Sequence, residues 1–339
     1  MSNKQGVLLV NLGSPESTDP KDVKMYLREF LMDEHVIDVP YWKRWLLIEG
    51  IILNTRPKKS AAAYKKIWWE EGSPLIVISQ RVFDKVRKKV DKPMELDMRY
   101  GKMSIEKGLT NLFTKNPELE EVKMIPLYPH FAKASTHTVI EKVEEVMKEK
   151  FPTKKLTYMQ SFYNEENYIN AQSKLLGEYL KEDYDHLLFS YHGIPERHLT
   201  KMDPTGEHCL KCENCCEVPK KEAHAVCYRH QVFQTTKLIV EKLGIPKDKY
   251  SVSFQSRLAG TPWLKPYTDF EIERLAHEGK KKLVILSPAF VSDCLETLEE
   301  LGMEGKEEFL EAGGEKYTLV PCLNEREDWV ETLAGYCRN

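Results

Sequence analysis

Four short apolar runs that halt at proline or glycine constrain this chain most: GVLLVNLGSP (6–15), VKMIPLYP (122–129), LLFSYHGIP (187–195) and KLVILSP (282–288). A run of this length closed by such residues reads as a strand buried on both faces of a parallel sheet. Helical patterns follow each run, so strand, polar turn and helix alternate along the chain. Further strands are expected near 94–99, 155–160 and 250–254, and a closing helix over 326–337. The segments VKMIPLYPHFAKASTHTVIEKVEEV and KLVILSPAFVSDCLETLEEL share an order: strand, proline, aromatic, serine, acidic helix. That pattern predicts an internal duplication giving an α/β protein of two Rossmann-like, doubly wound parallel-sheet domains with a cleft between them. The expected domains are residues 1–155 and 156–339.

At 339 residues and 41% hydrophobic content, the chain can bury a core large enough for two domains. A net charge of −3 provides no global field for nucleic acid or an anionic membrane. The N-terminal sequence lacks a long apolar signal region, and no stretch approaches the roughly 18 uncharged apolar residues of a membrane span. A cytoplasmic protein is expected. The N-terminal strand is followed by a single glycine in GSP, which is neither a Walker A loop nor a G-x-G-x-x-G fingerprint. Residues 41–53, YWKRWLLIEGIIL, mix aromatic, aliphatic and basic side chains, and fit either a core helix or an exposed apolar lip on a ligand or membrane surface.

Three features carry candidate chemistry. His192 closes the 187–192 run, at the carboxyl end of a strand, where open α/β sheets bind ligands; taken alone, such a histidine is more often structural. Asp293, Glu296 and Glu300 are spaced to share one face of an α-helix just beyond another strand end. A solvated surface helix would tolerate this arrangement, and a cation- or proton-handling track would require it. Ser190 has no G-x-S-x-G elbow and no nameable triad, which disfavours hydrolysis. Cys209, Cys212, Cys215, Cys216 and Cys227, five of the eight cysteines, crowd into one polar segment (203–230) with C-x2-C-x2-C spacing. Such clustering marks a metal site in a reducing compartment, with zinc and an iron–sulfur cluster both open on spacing alone. No basic, aromatic-lined patch accompanies the cysteines, so a zinc-loop nucleic-acid binder is disfavoured.

The motifs LLFSYHGIPERH, FQSRLAGTPWLKPYTD and SPAFVSDCLETLEEL, with VLLVNLGSPES, MRYG and LYPHFAKAST, together resemble the ferrochelatases, which insert ferrous iron into a porphyrin at the end of haem synthesis. The resemblance runs over nearly the whole chain and implies Fe²⁺ and protoporphyrin IX as substrates. On it, His192 matches the active-site histidine, a pyrrole proton acceptor or iron ligand, and Glu296 its partner. Asp293 and Glu300 match an acidic line for metal or proton traffic, while Arg99, Tyr100, Tyr128, Trp263 and Phe290 match porphyrin-cleft positions. Leu12 stands where coproporphyrin-type relatives carry tyrosine, which points to protoporphyrin. Cys294 stands where many relatives carry histidine. Residues 41–53 match an apolar lip implying peripheral membrane contact. The cysteine segment, an insertion after the His192 strand, implies a [2Fe-2S] cluster held by four of the five cysteines, with structural Zn²⁺ as the alternative. Chelation of coproporphyrin or another tetrapyrrole, and haem or metal carriage without turnover, are the rival readings.

Overall fold

The computed structural model describes residues 4–258 and 260–339. Its strands are β1 (Gln5–Asn11), β2 (Met94–Met98), β3 (Glu121–Pro126), β4 (Lys155–Tyr158), β5 (His186–His192), β6 (Tyr250–Gln255), β7 (Lys282–Leu286) and β8 (Lys316–Leu319). They form two four-stranded sheets, ordered β2-β1-β3-β4 and β6-β5-β7-β8, with every pairing parallel. In each sheet the first strand of its set lies between the second and third, so the two sheets have the same winding. The expected α/β architecture with two similar halves is therefore present.

Contacts divide the chain into one unit of residues 1–128, 133–161 and 324–339 and another of 129–132 and 162–323. The chain thus crosses between units more often than one break near residue 155 requires. The closing helix Glu327–Arg338 belongs to the first unit, where Lys123 of β3 donates to the Tyr336 carbonyl at 2.9 Å.

Local chemistry explains the elements. β1 is buried from Gly6 to Asn11, as a strand covered on both faces must be. Pro20 occupies the first turn of helix Pro20–Met32, and the Asp19 carboxylate accepts the Lys21 N–H at 2.8 Å, closing that helix's start. Gly108 of helix Ile105–Lys115 is required by packing, because a Cβ there would lie 1.4 Å from Asp97 Oδ2 of β2. Leu8, Val10, Leu109, Val122, Met124, Val139 and Val143 fill the core of the first sheet; Leu188, Ile272, Leu283, Ile285 and Phe309 do so in the second.

Three departures from the sequence reading have physical causes. β8 was not anticipated: it has four residues, none fully buried, and lacks the apolar signature of the inner strands. Residues 41–67 form a continuous helical run, Tyr41–Leu47 and Leu53–Ile67 joined by a π-helical stretch Ile48–Ile52. The run stops at Ile67, where Trp69 and Gly72 pair their backbones across a tight turn. β3 ends at Pro126 instead of continuing to Pro129, since proline removes a ladder donor.

Candidate functional site

His192 is the last residue of β5, opposite Gln255 of β6. Its Nδ1 lies 2.6 Å from the Gly193 carbonyl oxygen. A carbonyl can only accept, so in the neutral ring this contact puts the proton on Nδ1 and leaves Nε2 with a lone pair. The backbone beneath is fixed: Tyr228 Oη donates to the His192 carbonyl at 2.9 Å, and Gly193 N–H donates to the Gln255 carbonyl at 2.6 Å. Any Cβ at position 193 would sit 2.7 Å from the Ser256 carbonyl oxygen, so only glycine allows this approach. Trp263 flanks the same spot through a backbone bridge to Pro195, and the Phe290 ring stands edge-on to His192 at 6.4 Å.

The acidic residues are arranged differently from the expected α-helical stripe. Asp293 precedes the helix and is buried, with Oδ1 accepting from Thr297 Oγ1 at 2.8 Å and from Cys322 N–H at 3.3 Å. Glu296–Glu304 forms a π-helix whose i→i+5 bonds widen each turn and align residues 296 and 300 more closely than residue 293. Burial raises the Glu300 pKa above the ordinary carboxylate value. Hydrogen bonds from Ser256 and the charge His192 carries when protonated pull against that rise, whereas the Glu296 charge adds to it. Ser256 N–H and Oγ donate to the two Glu300 oxygens at 2.9 and 2.7 Å. Ser256 makes both bonds with φ at +60°, a strained conformation for a non-glycine residue, of the kind found where a fold must hold a functional group. Gln255 Nε2 donates to the Glu296 carbonyl at 3.2 Å. His192, Glu296 and Glu300 thus interact within one unit, bound together by two residues, Gln255 and Ser256, that the sequence reading missed. Both follow the apolar part of β6 and carry no motif of their own. Ser190 is fully buried, with its hydroxyl donating to Gln255 Oε1 at 2.7 Å, so it is not positioned as a nucleophile.

Leu12, Arg99, Tyr100 and Tyr128 lie in the first unit. Arg99 Nη2, Tyr100 Oη and Thr138 Oγ1 all donate to Asp33 Oδ2, at 2.6, 2.8 and 2.6 Å. Against the upward pull of burial, Thr138, the His35 N–H, Arg99 and Tyr100 hold the Asp33 pKa below its ordinary value. Leu12, just past β1, is half-buried, and its carbonyl accepts the Tyr100 N–H at 2.9 Å. The Tyr128 hydroxyl is buried, which raises its pKa. Cys294 is buried too; desolvation and the nearby Glu296 charge keep it a thiol.

In the cysteine segment, the Cys227 thiol feels those of Cys209 and Cys216, and the Cys216 thiol feels those of Cys227 and Cys215. Its contact with Cys209 is the main cause that pushes the Cys227 pKa up to about 12. Arg229 Nη1 approaches the sulfurs of Cys215 and Cys216 at 3.8 and 3.4 Å. Cys212 is turned aside, 3.5 Å from His208 Nδ1. Asp203 anchors the loop, accepting the N–H groups of Thr205, His208 and Cys209.

The ferrochelatase family model matches residues 4–339. The chain belongs to the ferrochelatase family. It is 49% identical to the ferrochelatase of Pseudomonas fluorescens strain Pf0-1 over 332 residues, covering 98% of this chain and 96% of that one. The ferrochelatase of Stutzerimonas stutzeri strain A1501 is 48% identical over 335 residues, 98% of this chain and 97% of that one. Among solved structures, SirB from Bacillus subtilis with Fe³⁺ has the same fold at a TM-score of 0.54 and 12% identity, covering 98% of this chain and 93% of that one. As a ferrochelatase the chain is a metal chelatase enzyme that inserts iron into a porphyrin in haem synthesis. No helix among the described residues is long and apolar enough to cross a membrane.

Proposed function

We propose that the chain inserts Fe²⁺ into protoporphyrin IX to form protohaem, with His192 Nε2 accepting the pyrrole protons. The porphyrin centre carries two N–H groups, so a metal can enter only as both protons leave. A base is therefore needed, and a nearby negative charge favours an arriving cation over a retained proton. The observation that carries this reading is the His192 Nδ1 contact with the Gly193 carbonyl, which in the neutral ring leaves Nε2 as acceptor, on a residue whose charge acts on Glu300. Glu296 and Glu300 supply the negative charge and pass protons outward; Asp293, tied to Thr297 and Cys322, keeps the start of the π-helix in place. Trp263 and Phe290 beside His192 offer apolar faces to the ring. Arg99 and Tyr100 act through Asp33 as positioning residues, and Leu12 and Tyr128 contribute apolar contact.

The cysteine segment suits a [2Fe-2S] cluster. Cys209, Cys215, Cys216 and Cys227 are buried in one short segment and act on one another's thiols, the Arg229 guanidinium would balance thiolate charge, and the more exposed Cys212 is left over. When bound, the cluster would supply electron-transfer or crosslinking chemistry. Tyr41 and Trp42, 64% and 61% exposed, head an apolar surface with Lys43 that suits peripheral contact with the cytoplasmic membrane face.

Anaerobic insertion of Fe²⁺ into protoporphyrin IX and into coproporphyrin III tests the substrate. The expected result is many turnovers with preference for protoporphyrin; faster turnover of coproporphyrin overturns the choice, and a single equivalent of product fits carriage only. Zinc instead of iron and sulfide in the purified protein would overturn the cluster.

A further inference from the structure

A second group of metal-ligating side chains lies in the first unit, which does not contain His192. His35, His137 and Glu141 each aim a ligand atom to within 4.8 Å of the others. His35 Nε2 is 2.5 Å from Glu141 Oε2, and His137 Nε2 is 3.2 Å from Glu141 Oε1. The rings meet edge to face, 4.9 Å between centroids. His35 is buried, His137 half-buried and Glu141 exposed, so the group opens to solvent on one side.

From these contacts we propose a solvent-accessible site for a hydrated first-row divalent cation, held by His35 Nε2, His137 Nε2 and the Glu141 carboxylate. Two imidazoles and a carboxylate form a donor set for Zn²⁺, Co²⁺ or Fe²⁺, and three protein ligands leave a position for water. Bonds of about 2.0–2.2 Å to such an ion fit with small shifts, because the exposed Glu141 side chain can move outward.

The scaffold holds both histidines in advance. Asp33 Oδ1 accepts the His35 N–H at 2.7 Å, while Asp33 Oδ2 accepts from Thr138, the neighbour of His137, at 2.6 Å. One buried carboxylate therefore ties together the turn that carries His35 and the helix start that carries His137. Glu141 lies in the first turn of helix Thr138–Lys150, four residues beyond His137, so the two share a face. His35 Nδ1 is buried without a hydrogen-bond partner. Nothing on that side commits the ring to keeping its proton on Nε2, and a cation can take that nitrogen's lone pair. The same lack of a supporting acceptor predicts weaker binding than in sites whose histidines have one. A plain pair of imidazole–carboxylate hydrogen bonds accounts for the same distances without metal, and the two cases differ in stoichiometry.

The test is anaerobic titration of the full-length protein with Co²⁺ alone, following bound metal and visible absorption. The double variant His137→Ala/Glu141→Gln, altered at half-buried and exposed positions, is compared with wild type. Wild type should bind one more equivalent than the variant, with ligand-field bands free of thiolate charge transfer, which separates this site from the cysteines. Each single variant should weaken that equivalent at least about tenfold, while iron insertion stays unchanged. Equal stoichiometry in wild type and double variant, or an extra equivalent whose spectrum shows thiolate ligation, overturns the proposal.

Discussion

The two units share strand order and differ in what stands at corresponding strand ends. In the first, β1 ends at Asn11, whose side-chain amide donates to Ser79 Oγ at 3.0 Å, and the residue after β2 is Arg99, whose guanidinium holds Asp33. In the second, β5 ends at His192, and the residue after β6 is Ser256, which holds Glu300. One unit closes these positions into a buried ion-pair network. The other gathers His192, Glu296 and Glu300, with the first two charges acting on the third. A π-helical segment follows the third strand in both, Lys133–His137 in the first and Glu296–Glu304 in the second. The same topology thus supplies a scaffold twice, with different residues standing at its strand ends.

Neutralising the carboxylates should break this comparison most visibly. Glu296→Gln and Glu300→Gln should each lower kcat/KM about 10²- to 10⁴-fold with little change in melting temperature. The counterpart change in the first unit, Asp33→Asn, should cost about 1–3 kcal/mol of stability by removing the charged acceptor that Arg99, Tyr100 and Thr138 share, read as a fall in the denaturant midpoint. If Asp33→Asn left stability intact, the first network would not be structural.

Asp97 of β2 sharpens the contrast by pH. Burial, with help from Glu95, lifts its pKa to about 8, and its Oδ2 has no hydrogen-bond partner. A carboxyl with a raised folded pKa contributes stability that is fully present below its unfolded pKa near 3.8 and is lost as pH rises through about 8. Asp97→Asn, which stays neutral, should therefore melt several degrees higher than wild type at pH 9 and close to it at pH 5. Equal melting temperatures at pH 9 would mean the carboxylate is accommodated.

Ser256→Ala should give the smallest effect. Losing a hydrogen bond to the charged form of Glu300 raises that already elevated pKa, so the Glu300-dependent limb of the pH–rate profile should move to higher pH, with a rate loss of about tenfold or less at neutral pH. An unmoved profile would disconnect Ser256 from catalysis.

Much of this was legible in the chain. GVLLVNL and LLFSYH announced buried parallel strands because they are apolar without alternation, and glycine and proline marked where they stop. His192 could be placed at a strand end for that reason. The π-helix could not be read from DCLETLEELGME, since its apolar and acidic residues recur at intervals that also suit an α-helix. Asp293 was thereby put on a face it does not share. Ser256 was invisible because its role depends on a positive φ. The His35 group was invisible because it joins residues 106 positions apart, brought together by folding alone.

The most direct measurement is made on His192→Ala: porphyrin affinity and anaerobic Fe²⁺ insertion in the same preparation. Nε2 acting as the proton acceptor predicts near-normal porphyrin binding with insertion reduced at least about 10³-fold. Insertion within tenfold of wild type by a folded, porphyrin-bound variant would contradict it.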